Sequence, residues 1–172
     1  EVGMKRSLTY LAILTVLTSF LMAGCGPKIY IDGTYKGVST ADDRGYAVAE
    51  VTVKNDKITE VRLSEFTVFG AEKDLDTYEF EGAKKANEEI SKQLVGRQDA
   101  AVSVYTGATI SSKKYISAVS FALEKAKKNP DIKSVYFDGT FSGKSSIENG
   151  GYGVALVTIE NDMITKVRLL EF

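Results

Sequence analysis

Tyr46-Ala47-Val48-Ala49-Glu50-Val51-Thr52-Val53-Lys54-Asn55-Asp56-Lys57-Ile58-Thr59-Glu60-Val61-Arg62-Leu63-Ser64-Glu65-Phe66 decides the architecture of this chain. β-Branched and aromatic residues recur with partial alternation over Tyr46–Lys54 and Ile58–Phe66, the pattern of half-buried strands. Asn55-Asp56-Lys57 has the composition of a tight turn, so the two strands form a hairpin. Tyr35–Ser39 reads as a further strand just upstream.

After Phe66 the period of the apolar residues changes. Thr67–Leu75 is a loop containing Gly70. From about Asp76 to Val95 the residues Phe80, Ala83, Ala86, Ile90 and Leu94 fall on one face of a helix. Asp76 and Glu79 have capping-box spacing at its start, and Gly96 marks its end. Ala101–Tyr105 alternates like a short fourth strand. A second helix is expected over Lys113–Lys127, with Tyr115, Ile116, Val119, Ala122, Leu123 and Ala126 on its buried face. Ser111 and Ser112 are its natural N-caps, Asn129-Pro130 closes it, and Lys125, Lys127 and Lys128 suit its negative end. Strands followed by helices indicate an α+β domain, a small antiparallel sheet covered on one face by two helices. A domain of about 100 residues buries a sufficient core without disulfides.

The chain also repeats itself. Asp138–Phe172 aligns without a gap on Asp32–Phe66, and about 20 of the 35 pairs are identical. Asn161-Asp162 repeats Asn55-Asp56, and Val167-Arg168-Leu169 repeats Val61-Arg62-Leu63. The second copy reaches only the three strands of the first, which gives one complete domain followed by a truncated second copy of the sheet. The first copy covers that apolar face with two helices, so the second is expected to be the less ordered part or to lean on the first domain.

Composition narrows the chemistry. The full chain carries a net charge of −1, and residues 1–24, with Glu1, Lys5 and Arg6, remove one unit of positive charge when taken away. That near-neutral balance gives no reason to expect nucleic-acid binding. With one Cys and no His, intramolecular disulfides, haem, iron–sulfur and the commoner zinc sites are excluded. If the chain carries electrons, an organic cofactor must do it.

Thr106-Gly107-Ala108-Thr109-Ile110-Ser111-Ser112 places hydroxyls at the mouth of the second helix. The unpaired amides and positive dipole end there favour a phosphate group. From Asp32 to Lys127 the chain resembles the FMN-binding domain family found in subunits of redox-driven sodium pumps and in bacterial lipoproteins. The matching pieces are Asp32-Gly33-Thr34-Tyr35-Lys36-Gly37, Val51–Val61 and Thr106-Gly107-Ala108-Thr109. The resemblance implies that Thr109 carries FMN through a phosphoester bond, installed by a flavin transferase that uses FAD. It implies that Thr106, Gly107 and Ala108 shape the turn, and that amides and hydroxyls at Ser111 and Ser112 hold the phosphate. Tyr105 and Tyr115 are candidates to stack on the ring or to fill the core. One departure stands out: the family usually has Asp three residues before the Ser/Thr, and here that place holds Ser103.

Met4–Cys25 reads as an export signal. Lys5 and Arg6 precede an apolar run from Leu8 to Met22, and Leu21-Met22-Ala23-Gly24-Cys25 looks like a bacterial lipoprotein box. The expected organisation is a lipoprotein signal peptide over 4–24, a tether over 25–31 lipidated at Cys25, an FMN-binding domain over 32–128, a linker over 129–136 and the incomplete second repeat over 137–172. The implied protein is a membrane-anchored extracytoplasmic flavoprotein that carries covalent FMN for electron transfer to a redox partner protein. Nothing in the chain resembles a substrate-binding acid/base pair, which favours a carrier over a self-contained enzyme. Two other readings stay open: an unmodified structural or ligand-binding lipoprotein, and a peripheral subunit of a membrane redox complex.

Overall fold

The structure is a computed structural model that describes residues 27–172, so the export signal and Cys25 lie outside the described residues. Strands β1 (Gly33–Val38), β2 (Tyr46–Lys54) and β3 (Lys57–Phe66) form an antiparallel sheet in sequence order. Helices α1 (Glu81–Arg97) and α2 (Thr109–Ala126) follow. A second antiparallel sheet is built from β4 (Gly139–Lys144), β5 (Gly153–Glu160) and β6 (Met163–Glu171). The architecture is α+β, as the sequence indicates.

The hairpin forms because Asn55 and Asp56 accept φ of 53° and 65°, the left-handed pair a two-residue turn between twisted strands requires. Asp56 also fastens the chain ahead of β1: its Oδ1 accepts the amides of Ile29 and Tyr30 at 2.8 and 2.7 Å. Period two then sorts the side chains. Ala47, Ala49, Val51 and Val53 of β2, with Ile58 and Leu63 of β3, are buried under the helices. A register shift at Thr52/Val53 keeps Ile58 on the core side although the pairing slips there. α2 packs on β1 and β2, while α1 packs on β3 and against α2.

The helices differ from the sequence expectation at their ends. α1 begins at Glu81 rather than near Asp76, because Asp76 is engaged by Lys84 at 2.6 Å and Phe80 takes the N-cap position without a side-chain cap. It passes through Gly96 and stops when Gln98 turns left-handed, its amide side chain clasping Ile58 N–H and C=O. α2 begins one turn earlier than expected, at Thr109. Ala101–Tyr105 is not a strand: its amides bond to side chains, Ser103 to Gln93 Oε1 and Tyr105 to Ser112 Oγ, instead of to a neighbouring strand.

The two copies part company at their inner faces. Gly37 lets α2 come so close that an added Cβ would lie 1.9 Å from the Ala118 carbonyl oxygen. Gly143 occupies the same place in the second copy and meets nothing within 4 Å. Ile58 and Leu63 are 2% and 9% exposed, whereas their counterparts Ile164 and Leu169 are 63% and 74% exposed. Each such side chain left in water forgoes about 1.5–3 kcal/mol of burial. The second sheet therefore leans on the first domain, as its composition suggests: Phe137 stacks on Phe121 of α2 at 4.3 Å, and Ala41 N–H donates to Thr140 C=O at 2.6 Å.

The same substitution should thus have opposite outcomes in the two copies. Gly37→Ala should destabilise by about 1–3 kcal/mol, because helix backbone must retreat. Gly143→Ala should change stability by less than about 0.5 kcal/mol. Urea unfolding of both variants checks this, and equal effects would refute the packing asymmetry.

Candidate functional site

The end of α2 that carries Thr106–Ser112 is held by its own hydroxyl groups. Tyr105 N–H donates to Ser112 Oγ at 3.0 Å, and Ser112 Oγ donates to Ala108 C=O at 2.9 Å. Gly107, with φ of 95°, makes the reversal that non-glycine residues resist. Ala108 occupies the N-cap position and Thr109 is the first helical residue. Ser112 N–H is the first to bond within the helix, to Ala108 C=O at 3.0 Å. The amides of Thr109, Ile110 and Ser111 consequently have no acceptor in the preceding turn, and the helix dipole is positive there.

The expected site residues divide accordingly. Thr106, Gly107 and Thr109 are exposed, while Ala108 and Ser111 are buried at the turn. Ser111 and Ser112 are not N-caps but lie within the first turn of α2. Ser112 is fully buried with its hydroxyl spent on the loop, so it shapes the site from behind. Tyr115 is core: it is fully buried, with its hydroxyl donating to Glu65 Oε2 at 3.3 Å. Tyr105 is part-buried against the same core. Ser103, at the departure from the family pattern, is exposed and bonds through its amide to Gln93.

Gly107, Ala108, Thr109, Ile110 and Ser111 form one wall of a cleft of about 620 Å³. This size suits a cofactor-sized molecule. The opposite walls hold residues to which the sequence reading gave no site role: Arg44, Phe69, Lys73, Tyr78 and Phe80. The three aromatic rings are 42–50% exposed, an unusual outlay of apolar surface in loops. Exposed aromatics clustered between a strand and a helix were the available signal. Phe80, expected on the buried face of α1, stands exposed at its N-cap.

Charge in the cleft is fixed by buried partners. Lys114 of α2 donates to Asp42 Oδ1 at 2.6 Å and to Gly45 C=O at 2.8 Å, which sets the 42–45 turn and with it Arg44. Burial alone would raise the Asp42 pKa, but the Lys114 hydrogen bond and the Arg44 amide outweigh it and hold the carboxyl below its usual range. Lys73 pairs with Glu65 at 2.7 Å, and both side chains are largely buried. Its ammonium also lies 5.1 Å from the centre of the Tyr78 ring. Arg44 has no ion-pair partner among the described residues and is the cation left to meet an anion. Aromatic walls, a free guanidinium and open amides at a helix end fit a planar ring bearing a phosphate.

Residues 44–124 match the family described as "FMN-binding domain". The matched span contains β2, β3, α1, the Thr106–Ser112 turn and α2 as far as Glu124. Among solved structures, the chain is similar to that of the CPE2226 protein from Clostridium perfringens. The two are 28% identical over 57% of this chain and 89% of the other, with a TM-score of 0.49. No curated protein matches it.

The wall behind the cleft titrates in a way that unfolding can read. Burial, and then the Glu65 charge, push the Tyr115 hydroxyl well above the usual value of 10.0. The folded chain keeps this proton where the unfolded chain has lost it, so the contribution is full below about pH 10 and is lost as pH rises beyond. Urea unfolding between about pH 9 and 11 should show falling stability, with a shallower fall in Tyr115→Phe. Tyr30 and Tyr46, also raised by burial, leave some slope in that variant. Identical slopes with and without the hydroxyl would exclude Tyr115 as a source.

Proposed function

From that family match we propose that the protein is an extracytoplasmic electron carrier whose FMN is bonded through its phosphate to Thr109. The observation that carries this reading is the position of Thr109. It is the first residue of α2, exposed, with the open amides beside it, on the wall of an aromatic-lined cleft. In the bonding step the Thr109 hydroxyl oxygen joins the FMN-side phosphorus of FAD as the pyrophosphate P–O bond breaks. AMP leaves, and the hydroxyl proton passes to solvent. A flavin transferase supplies the catalysis.

Once attached, the flavin supplies the electron chemistry and the protein supplies orientation and charge. The amides of Thr109, Ile110 and Ser111, with Arg44, hold the phosphate, which keeps a negative charge in the diester. Phe69, Tyr78 and Phe80 shield the ring from water. Lys73 contributes a positive charge that favours the reduced, more anionic ring, moderated by Glu65. The proposed address is the outer face of the cell membrane, through lipid on Cys25. Stable residence there needs more than one acyl chain, since a single chain binds only marginally.

Protein made together with a flavin transferase should gain one FMN-sized mass on the peptide containing Thr109. Thr109→Ala should abolish it, and Thr106→Ala should reduce it less. An adduct that persists in Thr109→Ala would move the linkage elsewhere. Absence of flavin from the denatured, washed wild type would leave an unmodified ligand-binding protein as the better reading.

Anchoring is tested separately. The processed protein should sediment with membranes, and Cys25→Ala should leave it unprocessed or released. Native protein recovered wholly in the soluble fraction would refute lipid anchoring while leaving the flavin assignment intact.

A further inference from the structure

The second sheet has two faces of unlike character. One is the open face that carries Ile164 and Leu169. The other is turned to the first domain and touches it at the segments that form the cleft. Phe172 stacks on Tyr152 with ring centres 5.1 Å apart, and Phe69 meets Phe172 at 5.2 Å with the rings 72° apart. Phe69 is also a wall of the cleft. Beside this contact, the stem of Lys144 lies against Gly70, 3.0 Å from where a Cβ would stand, while its ammonium sits 4.2 Å over the Tyr152 ring.

The loop so gripped is a compact unit. Thr67 N–H bonds to Ala71 C=O, Gly70 N–H to Thr67 C=O, and Ala71 N–H to Thr67 Oγ1. Contacts at Phe69 and Gly70 therefore fix the whole of 67–71, and Lys73 follows directly with its bond to Glu65. On the other side of the cleft, the Ala41–Thr140 hydrogen bond holds the chain just before the 42–45 turn that presents Arg44. The first copy shows what is special here. Phe66 stacks on Tyr46 at 5.1 Å just as Phe172 stacks on Tyr152, so the repeat has reused a pre-existing aromatic pair as an anvil for Phe69.

We propose that the second repeat is a clamp on the cofactor cleft: Phe172 and Lys144 are positioning residues that hold the 67–71 loop, and thereby Phe69, in place. This rests on the cleft being the FMN site. An aromatic pair of this geometry is enough to set how often a surface loop opens but not whether the first domain folds.

The test uses the full chain in four variants: Phe172→Ala, Phe172→Tyr, Lys144→Ala and, as control on the open face of the same sheet, Leu169→Ser. Without cofactor, amide hydrogen exchange over residues 67–73 should be about three- to tenfold faster in Phe172→Ala, and somewhat faster in Lys144→Ala. Phe172→Tyr should restore the wild-type rate, and Leu169→Ser should leave it unchanged. In flavinylated protein, Phe172→Ala should retain the FMN adduct by mass but show brighter flavin fluorescence and a weaker visible circular-dichroism band. Wild-type exchange in Phe172→Ala would overturn the clamp, as would a change in Leu169→Ser of the same size. If Phe172→Ala fails to fold, Lys144→Ala decides: unchanged exchange over 67–73 overturns the proposal. A wild type that takes up no FMN would refute the cofactor reading alone, since the exchange comparison needs none.

Discussion

The close approach of α2 to β1 at Gly37 is the constraint on which the rest of the molecule depends. With a hydrogen in place of a side chain, strand and helix backbones come within contact distance at Ala118 and Ala122. That contact fixes the axis of α2 against the sheet, and so fixes where its first residue emerges. Thr109 lies nine residues before Ala118, so the rigid helix carries the constraint from the core to the cleft at a rise of about 1.5 Å per residue. Lys114, halfway along, spends its buried charge on Asp42 and Gly45 and brings the Arg44 turn to the same place. A site assembled this way is positioned by packing and requires little ordering when a ligand arrives.

The hairpin was legible because two independent signals coincide in it. Alternation over Tyr46–Lys54 gives the face, and Asn55-Asp56 gives the reversal, so the register has no freedom left. The interiors of both helices were legible for the same reason. Their ends were not, because they are decided by single hydrogen bonds formed with distant or unexpected partners. Asp76 looks like a cap until Lys84 is near it. Ser112 looks like a cap until its hydroxyl is seen to bond backward to Ala108 and to receive Tyr105. Ala101–Tyr105 alternates, but alternation makes a strand only where a neighbouring edge is free to pair.

Half of the candidate site was visible in the sequence and half was not, for a related reason. The turn bearing Thr109 is contiguous, so its residue types speak together. The opposite wall is assembled from the 42–45 turn and the 67–80 loop, segments separated from the turn by a helix or a strand pair. No local pattern marks Arg44, Phe69 or Tyr78 as neighbours. Only the packing of α2 on the sheet, and the Lys73–Glu65 pair that draws the loop back onto β3, make them so.

The repeat shows how far identical residues are from identical roles. Asp162 accepts the Tyr136 amide much as Asp56 accepts the Ile29 and Tyr30 amides, and Tyr152 and Phe172 stack as Tyr46 and Phe66 do. These local interactions are carried by the hairpin itself and survive copying. The contacts to a helix differ between the copies: among the described residues a Cβ at Gly143 meets nothing within 4 Å, and Leu169 is exposed. The other face of the second hairpin meets the first domain at Phe69 and Gly70. The same aromatic pair that in the first copy stacks beside the cleft-forming loop in the second supports that loop from outside. Strand pairing is local enough to be inherited with the sequence. Burial is a property of the neighbours, and among the described residues these differ between the two copies.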